Sequence, residues 1–415
     1  MPVQDVIHTL DNAEKITTAL SNRVSVITKT DEFFALRDQW NAINESSPKG
    51  TVFVSWEWLY TWWETYAKDG NRKLYILTCT NNRHQLIGIA PFQIIQNPKK
   101  YYPCSRQLIL LGTGETDGSF VFGEYMDLII QQGQEQRVID CFSNFLIKNN
   151  SLWDGMKFHE LLENSYLSRL FSAQINENTN DSSNNSANKE KPLIVKQIKA
   201  KGFRTYIDLP ETYKDYLMGL RKKMRNNITR TFSRLESEQN YTIETIDDES
   251  KVNQSIDILA NLNLSRRGYM KKHSVFEQEN FVKFHKRVIK RLLSKNQISF
   301  KILYFDDEPV AALYSFIDGD TIHPYQSGFE TENGHRYSLL TTMLSKEIES
   351  SIENPQLKRF NFMYSDEEGT YKKRYSGTTE TMYTLSFDKT GAKFSMYQWI
   401  HGRLKQGIKK LLRVE

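Results

Sequence analysis

One order of elements occurs twice in this chain, once on each side of a polar segment, and any fold it adopts has to accommodate that repeat. In the first half LYILTCT and LIGIAPFQII are β-branched runs separated by the polar turn NNRHQ. RQLILLG and YMDLII follow, then a helical pattern in EQRVIDCFSNFLIKNN and a strand in GMKFHELL. The second half reads FKILYF, the turn DDEP, VAALYSFI, the turn DGD and TIHPYQSG. A helix in YSLLTTMLSKEIESSI comes next, apolar at Leu339, Leu340, Met343, Leu344 and Ile348, and then the strand LKRFNFMY. Each half is thus expected to run meander, helix, strand. Helices also open each half, and in SWEWLYTWWETYA the residues Trp56, Leu59, Tyr60 and Trp63 form an aromatic stripe whose plain reading is core packing.

The segment between the repeats, SAQINENTNDSSNNSAN, has Ile175 as its only large apolar residue and cannot repay the entropy of ordering itself. It predicts a flexible linker over 173–198 between an N-terminal domain, 1–172, and a C-terminal domain, 199–415. Two domains suit a chain of 415 residues, longer than one core usually supports, and 39% hydrophobic residues are enough to build both cores. Only Cys79, Cys104 and Cys141 occur, without metal-ligand spacing, so neither a disulfide framework nor a metal site is expected. No segment reads as a signal peptide or a membrane span, which predicts a cytoplasmic protein. The fold class expected is α/β (α+β), each half a mixed, largely antiparallel sheet flanked by helices. This is the layout of a GNAT-like N-acetyltransferase domain, here in tandem.

Four stretches carry a resemblance to a known family. FVSWEWLYTWWETYA, LLGTGETDGSFVFGEYMDLII, the Arg-rich LRKKMRNNITRTFSRLE and FNFMYSDEEGTYKKRYSG occur in this order and resemble the CelD-like acyltransferases. These are tandem members of the GNAT superfamily, associated with exopolysaccharide synthesis and related to Fem-type peptidyltransferases. The resemblance implies acetyl-CoA or another acyl-CoA as co-substrate and a small-molecule amine as acceptor. Where that family usually has a Pro-Gly pair before the helix of the second half, this chain has NGHRYSLL.

Acyl transfer from a thioester needs a cradle for pyrophosphate, donors for the oxyanion and a route for protons. For the cradle the resemblance points to the start of the second-half helix, where free N–H groups attract anions. The candidates there are Gly334, in a tight turn with Asn333, and Arg336, Tyr337 and Ser338. An ordinary loop into a helix capped near Ser338 explains the same residues. The basic helix DYLMGLRKKMRNNITRTFSRLE stacks Arg221 and Arg225 four residues apart, where they can hold a phosphate or carboxylate together, although a solvated face has the same composition. SRRGYMKKH is a second basic loop.

Proton transfer falls to the strand-acid signature. A strand through Phe360, Phe362 and Tyr364 delivers Asp366, Glu367 and Glu368 past its C-terminal end. One of these carboxylates takes the proton of the acceptor amine, Tyr371 returns one to the leaving thiolate, and Lys372 pairs with an acid or phosphate. Spacing does not choose among the acids, and a charged surface hairpin is the alternative. No GxSxG elbow, Walker A loop or HExxH helix competes. The basic C-terminus HGRLKQGIKKLLRVE suits docking on its own domain or peripheral contact with an anionic membrane.

The leading expectation is an acyl-CoA-dependent N-acyltransferase acting on an amine of a sugar, nucleotide-sugar or other small precursor. Two alternatives stand beside it: a Fem-type transferase using aminoacyl-tRNA, the one case in which nucleic acid is a partner, and a degenerate pair of domains serving as a binding module.

Overall fold

A computed structural model describes residues 22–69, 71–96, 106–172, 194–366 and 371–389. The first half runs β1 (Arg23–Ile27), α1 (Thr30–Ala35), α2 (Arg37–Ser46), α3 (Trp56–Tyr66), β2 (Arg72–Leu74), β3 (Ile76–Thr80), β4 (Leu86–Ala90), β5 (Phe92–Gln96), β6 (Arg106–Leu110), β7 (Ile129–Ile130), α4 (Glu135–Lys148) and β8 (Gly155–Leu161). The second runs β9 (Ile194–Asp208), α5 (Tyr213–Gly219), α6 (Lys222–Glu238), β10 (Tyr241–Thr245), α7 (Val252–Tyr269), α8 (Glu279–Leu293), β11 (Ile298–Phe305), β12 (Glu308–Asp318), β13 (Thr321–Phe329), α9 (Thr331–Arg336), α10 (Leu339–Glu353), β14 (Arg359–Ser365) and β15 (Thr378–Lys389). Meander, helix and strand recur in both halves, as the repeat predicts.

The strands of the two halves join into one sheet of eleven, in the order β10-β11-β12-β13-β14-β9-β15-β8-β6-β5-β2. The seam is β15, which lies antiparallel to β9 on one side, from Thr378 opposite Tyr206 to Lys389 opposite Ile194, and to β8 on the other. Residues 194–198, expected as the end of the linker, already belong to β9, while 173–193 lie outside the described residues. The basic C-terminal stretch, 401–415, also lies outside them.

LIGIAPFQII, read as one run, is two strands in two sheets. β4 belongs to a four-stranded sheet, β1-β3-β4-β7, and β5 to the large one. The change of sheet falls at Pro91, which has no N–H to donate to a ladder, and opposite it Tyr75 separates β2 from β3.

The aromatic stripe of α3 packs, but the helix is buried on every side except at Glu64, because it lies between the first half and α8 of the second. Trp58 is fully buried, with ring centroids 5.0 Å from Phe53, 5.0 Å from Phe284 and 5.1 Å from Phe316. Burial extends even to Glu57, whose carboxylate is met by Arg37, Asn41 and Lys295. These partners hold its carboxyl below the usual carboxylate range, against a burial effect that pushes it up. At the same boundary the Val52 N–H donates to Asp318 at 3.0 Å. Side chains of both halves therefore share one core, while a second core under α5, α6 and α10 covers the other face of the second-half sheet.

Candidate active site

In the second half β13 and β14 run parallel but pair only at Thr321 with Arg359 and Ile322 with Phe360. Beyond that point they diverge. β13 is bulged as it does so: Ser315 of β12 faces Pro324 and Tyr314 faces Gln326, leaving Tyr325 without an opposite residue.

Before α10 the stretch around Gly334 is the short helix α9 rather than a tight turn, capped by Glu330, whose carboxylate accepts from the Asn333 N–H at 3.0 Å. Arg336 is exposed and its guanidinium is held by Glu238 at 2.6 Å. Tyr337 is fully buried, its hydroxyl donating to Glu238 at 3.1 Å and accepting from Gln239 at 2.6 Å, and its N–H is spent on Asn333. Its side chain is thus committed to structure. Ser338 adopts a left-handed φ of 44°, makes no side-chain cap, and leaves the first N–H groups of α10 for other acceptors. A cation of the stretch SRRGYMKKH lies nearby. Ser265–Tyr269, expected as part of a loop, are the last turn of α7, and Arg266 sits 4.8 Å over the Phe329 ring at the end of β13, its Nε without a partner.

The strand-acid signature forms as expected up to Tyr364. β14 carries a bulge of its own, since Asn361 faces Tyr206 and Tyr364 faces Arg204, so Phe362 and Met363 share one opposite position and Met363 takes a left-handed φ of 64°. Asp366 follows, accepting from the Tyr364 hydroxyl at 2.8 Å. The Tyr364 ring lies across β9 at Gly202, where any Cβ would stand 2.1 Å from it. Glu367 and Glu368 lie outside the described residues. Tyr371 is half-exposed, and Arg266 faces it electrostatically. Lys372 does not reach out to a ligand. It is buried and donates to the carbonyls of Met363 at 3.0 Å and Tyr364 at 2.6 Å, which fixes the bulge. Burial brings its ammonium down to about 8, with the Glu124 carboxylate opposing the change.

Arg221 and Arg225 do not share one helix face. α5 ends at Gly219, Arg221 is the exposed residue before α6, and Arg225 turns back to donate to Met218 O at 3.2 Å and Leu220 O at 3.4 Å. Arg225 thereby satisfies the carbonyls that end α5.

The first half repeats the divergence. β6 and β8 pair only at Gln107 with Gly155 and Leu108 with Met156. β8 then bulges, Phe158 facing Leu385 and Leu161 facing Tyr383, with Glu160 at a left-handed φ of 57°. Between these strands lies a cavity of about 330 Å³, walled by Leu110, Phe122, Met126 and Phe158 and lined by Glu115, Glu160 and Lys201. Burial, then the Glu124 carboxylate, push the Glu160 carboxyl up to about 8, with Lys201 opposing. Glu115, which accepts from Trp62 Nε1 at 2.6 Å, is pushed up to about 7 by burial.

The segment LLGTGETDGSFVFGEYMDLII ties the two openings together. The Phe122 N–H donates to the Tyr325 hydroxyl at 3.0 Å, both Glu124 oxygens accept from the Tyr364 N–H at 2.8 Å, and the Tyr125 hydroxyl donates to Asn361 at 3.3 Å. Asp127 takes N–H groups from Leu128, Tyr166 and Leu167, so it anchors the segment. Sequence reasoning missed Glu115, Glu124 and Glu160. Their only signal was Glu124 and Glu160 standing among apolar neighbours in VFGEYM and FHELL, and Glu115 in the glycine-rich GTGETDGS.

Residues 222–373 match a family model described as an acetyltransferase (GNAT) domain. The crystal structure of FemX resembles this chain over 91% of its length and 99% of the FemX chain, at 9% identity and a TM-score of 0.58. A conserved protein of unknown function from Bacteroides thetaiotaomicron VPI-5482 aligns over 88% of this chain and 100% of its own, at 11% identity and a TM-score of 0.49. The C-terminal domain (DUF2156) of a putative lysylphosphatidylglycerol synthetase from Agrobacterium fabrum aligns over 88% and 94%, at 10% identity and a TM-score of 0.49. At such identities likeness speaks to fold alone. No curated protein matches the chain. Among the described residues no helix is long and apolar enough to cross a membrane, and no group of side chains is arranged to hold a metal ion.

Proposed function

We propose that the chain, whose residues 222–373 match an acetyltransferase (GNAT) domain model, is an acyltransferase that moves an acyl group from acyl-CoA to the amine of a sugar, nucleotide-sugar or similar small precursor in the cytoplasm. The observation that supports this reading is the divergence of β13 and β14, with the bulge at Tyr325 in the strand that runs through the short helix α9 into α10. The unspent N–H groups after Ser338 and the Arg266 guanidinium suit a pyrophosphate. Arg336 and Tyr337, tied to Glu238, shape that corner, and Gly334 lets α9 approach Phe329. The four CelD-like stretches support the choice of acceptor.

In the reaction the acceptor ammonium gives up one proton, its nitrogen bonds to the thioester carbonyl carbon, and the adduct loses a second nitrogen proton as the C–S bond breaks and the leaving thiolate takes one up, so that one proton is released overall. In this reading Asp366, just past the end of β14, takes the first proton and Tyr371, which Arg266 faces, gives the last, while Lys372 holds the strand that leads to them. Asp366→Asn is expected to lower turnover at least about a hundredfold with an unchanged melting temperature; wild-type turnover would remove Asp366 from the mechanism.

A thermal-shift series with acetyl-CoA, longer acyl-CoAs and aminoacyl-tRNA tests the donor. Acyl-CoA at about 100 times its Kd should add about 2.7 kcal/mol to the native state, and no shift with any acyl-CoA sinks the reading. Aminoacyl-tRNA ranks lower as donor, since the helical pair α7 and α8, whose members contact each other, packs on β13 and on α3, whereas a long helical hairpin is common in those enzymes.

A further inference from the structure

We propose that the cavity between β6 and β8 in the first half is a binding site for a primary ammonium group, held by the carboxylates of Glu160 and Glu115 while apolar walls take the group's carbon body. Four observations converge. The cavity holds about 330 Å³, the size of a small organic molecule, and has apolar sides with ionisable groups at one end. Among the described residues the Glu160 carboxylate has no hydrogen-bond or ion-pair partner, and it sits in a β-bulge that turns it off the strand's alternation. Gln93 is fully buried, and its amide donates to Leu110 O at 3.1 Å and Thr113 O at 2.8 Å at the cavity wall, leaving Oε1 unpartnered. Behind Gly123 in the same wall the Trp58 indole N–H is fully buried and also unpartnered. Buried polar groups without partners mark places where water or a ligand belongs.

Charge decides the sign of the ligand. Glu160 is faced by Glu115 and Glu124 of the connecting segment, Asp366 and Tyr364 of the β14 end, Lys201 of β9, Tyr383 of β15, and Lys157 and His159 of its own strand. The carboxyls resist ionising together because like charges crowd a poorly hydrated space, and an ammonium entering there relieves that repulsion. A cation therefore binds best when Glu160 ionises, and binding should expel a proton. A smaller recess lined by Glu160, Lys201 and Tyr364 continues toward Asp366. As an acceptor subsite the cavity rests on the acyl-transfer reading, but as an amine site it does not.

The test is calorimetric titration of the full chain with phenethylamine hydrochloride at pH 7.5, with 2-phenylethanol as its uncharged counterpart, in buffers of different ionisation enthalpy. Phenethylamine should bind at least about tenfold more tightly than the alcohol, with proton release. Glu160→Gln and Glu115→Gln should each weaken the amine about tenfold, and Glu160→Gln should abolish most of the proton release. Its folding is checked by melting. A carboxyl at about 8 in the fold against 4.5 in the free chain adds stability that is full below about 4.5 and lost as pH rises through about 8, so the glutamine variant should melt no lower than wild type above pH 7.5. Equal affinity for amine and alcohol, no amine binding, or unchanged amine affinity in both variants overturns the site. Acyl-CoA melting shifts on the same samples separate the readings. A shift without amine binding removes only this cavity, and amine binding without a shift removes only the donor assignment.

Discussion

Trp58→Ala is expected to cost about 3–5 kcal/mol of stability, measured by urea unfolding, and to destabilise both halves of the protein at once. The indole is fully buried and packs edge-on against Phe53 beside it, Phe284 of α8 and Phe316 of β12. Removing it opens a cavity in the one core to which both halves contribute side chains, and a rigid sheet above and helices on both sides limit how far the site can collapse. Unfolding followed by far-ultraviolet circular dichroism and by tryptophan fluorescence should shift together. If a first transition moves and a second stays at its wild-type midpoint, the halves are energetically separate and the shared core is not what holds them.

Glu124→Ala should cost a comparable amount, about 3–5 kcal/mol near neutral pH, and should depress turnover as well. The carboxylate is 3% exposed, binds the Tyr364 N–H with both oxygens, and is the acid that opposes the burial of Lys372. Without it a buried ammonium loses its counter-charge and β14 loses an anchor directly before Asp366. The pH dependence has a definite sign. Burial lowers the folded-state pKa of Lys372 to about 8, below its value in the free chain, so stability rises with pH as that ammonium loses its proton. Loss of Glu124 lowers that pKa further and lets the rise begin earlier. The deficit of the variant should therefore be largest near pH 7 and smaller at pH 9.5, as measured by chemical denaturation. A deficit that is constant across this range would mean that Glu124 does not act through Lys372.

The elements of the fold were mostly legible because their periodicities are local. The short apolar runs FKILYF and VAALYSFI and the three-and-four spacing of Leu339 to Ile348 are local features of the sequence, and they formed strands and a helix where they were read. Breaks were harder to see. Pro91 inside LIGIAPFQII moves the chain to another sheet, and the Arg-rich run splits at Leu220, so Arg221 and Arg225 part company. The stretch proposed as a cradle does lead into α10, but its side chains turn elsewhere. Tyr337 points into the core and Arg336 to Glu238, partners that lie about a hundred residues away in sequence.

The sequence by itself determined the repeated order of elements, the α/β class and the place where a strand ends in acids. Only the tertiary structure decided that β15 would close the two halves into one sheet, that β8 and β14 would each bulge beside a diverging parallel neighbour, and that Glu115, Glu124 and Glu160 would gather at the junction. The reason is physical. Periodicity reports on which face of one element is apolar, whereas a one-residue bulge, the sheet edge chosen by a late strand and the burial of a carboxylate depend on contacts between distant segments. Those contacts leave no spacing for a single sequence to display.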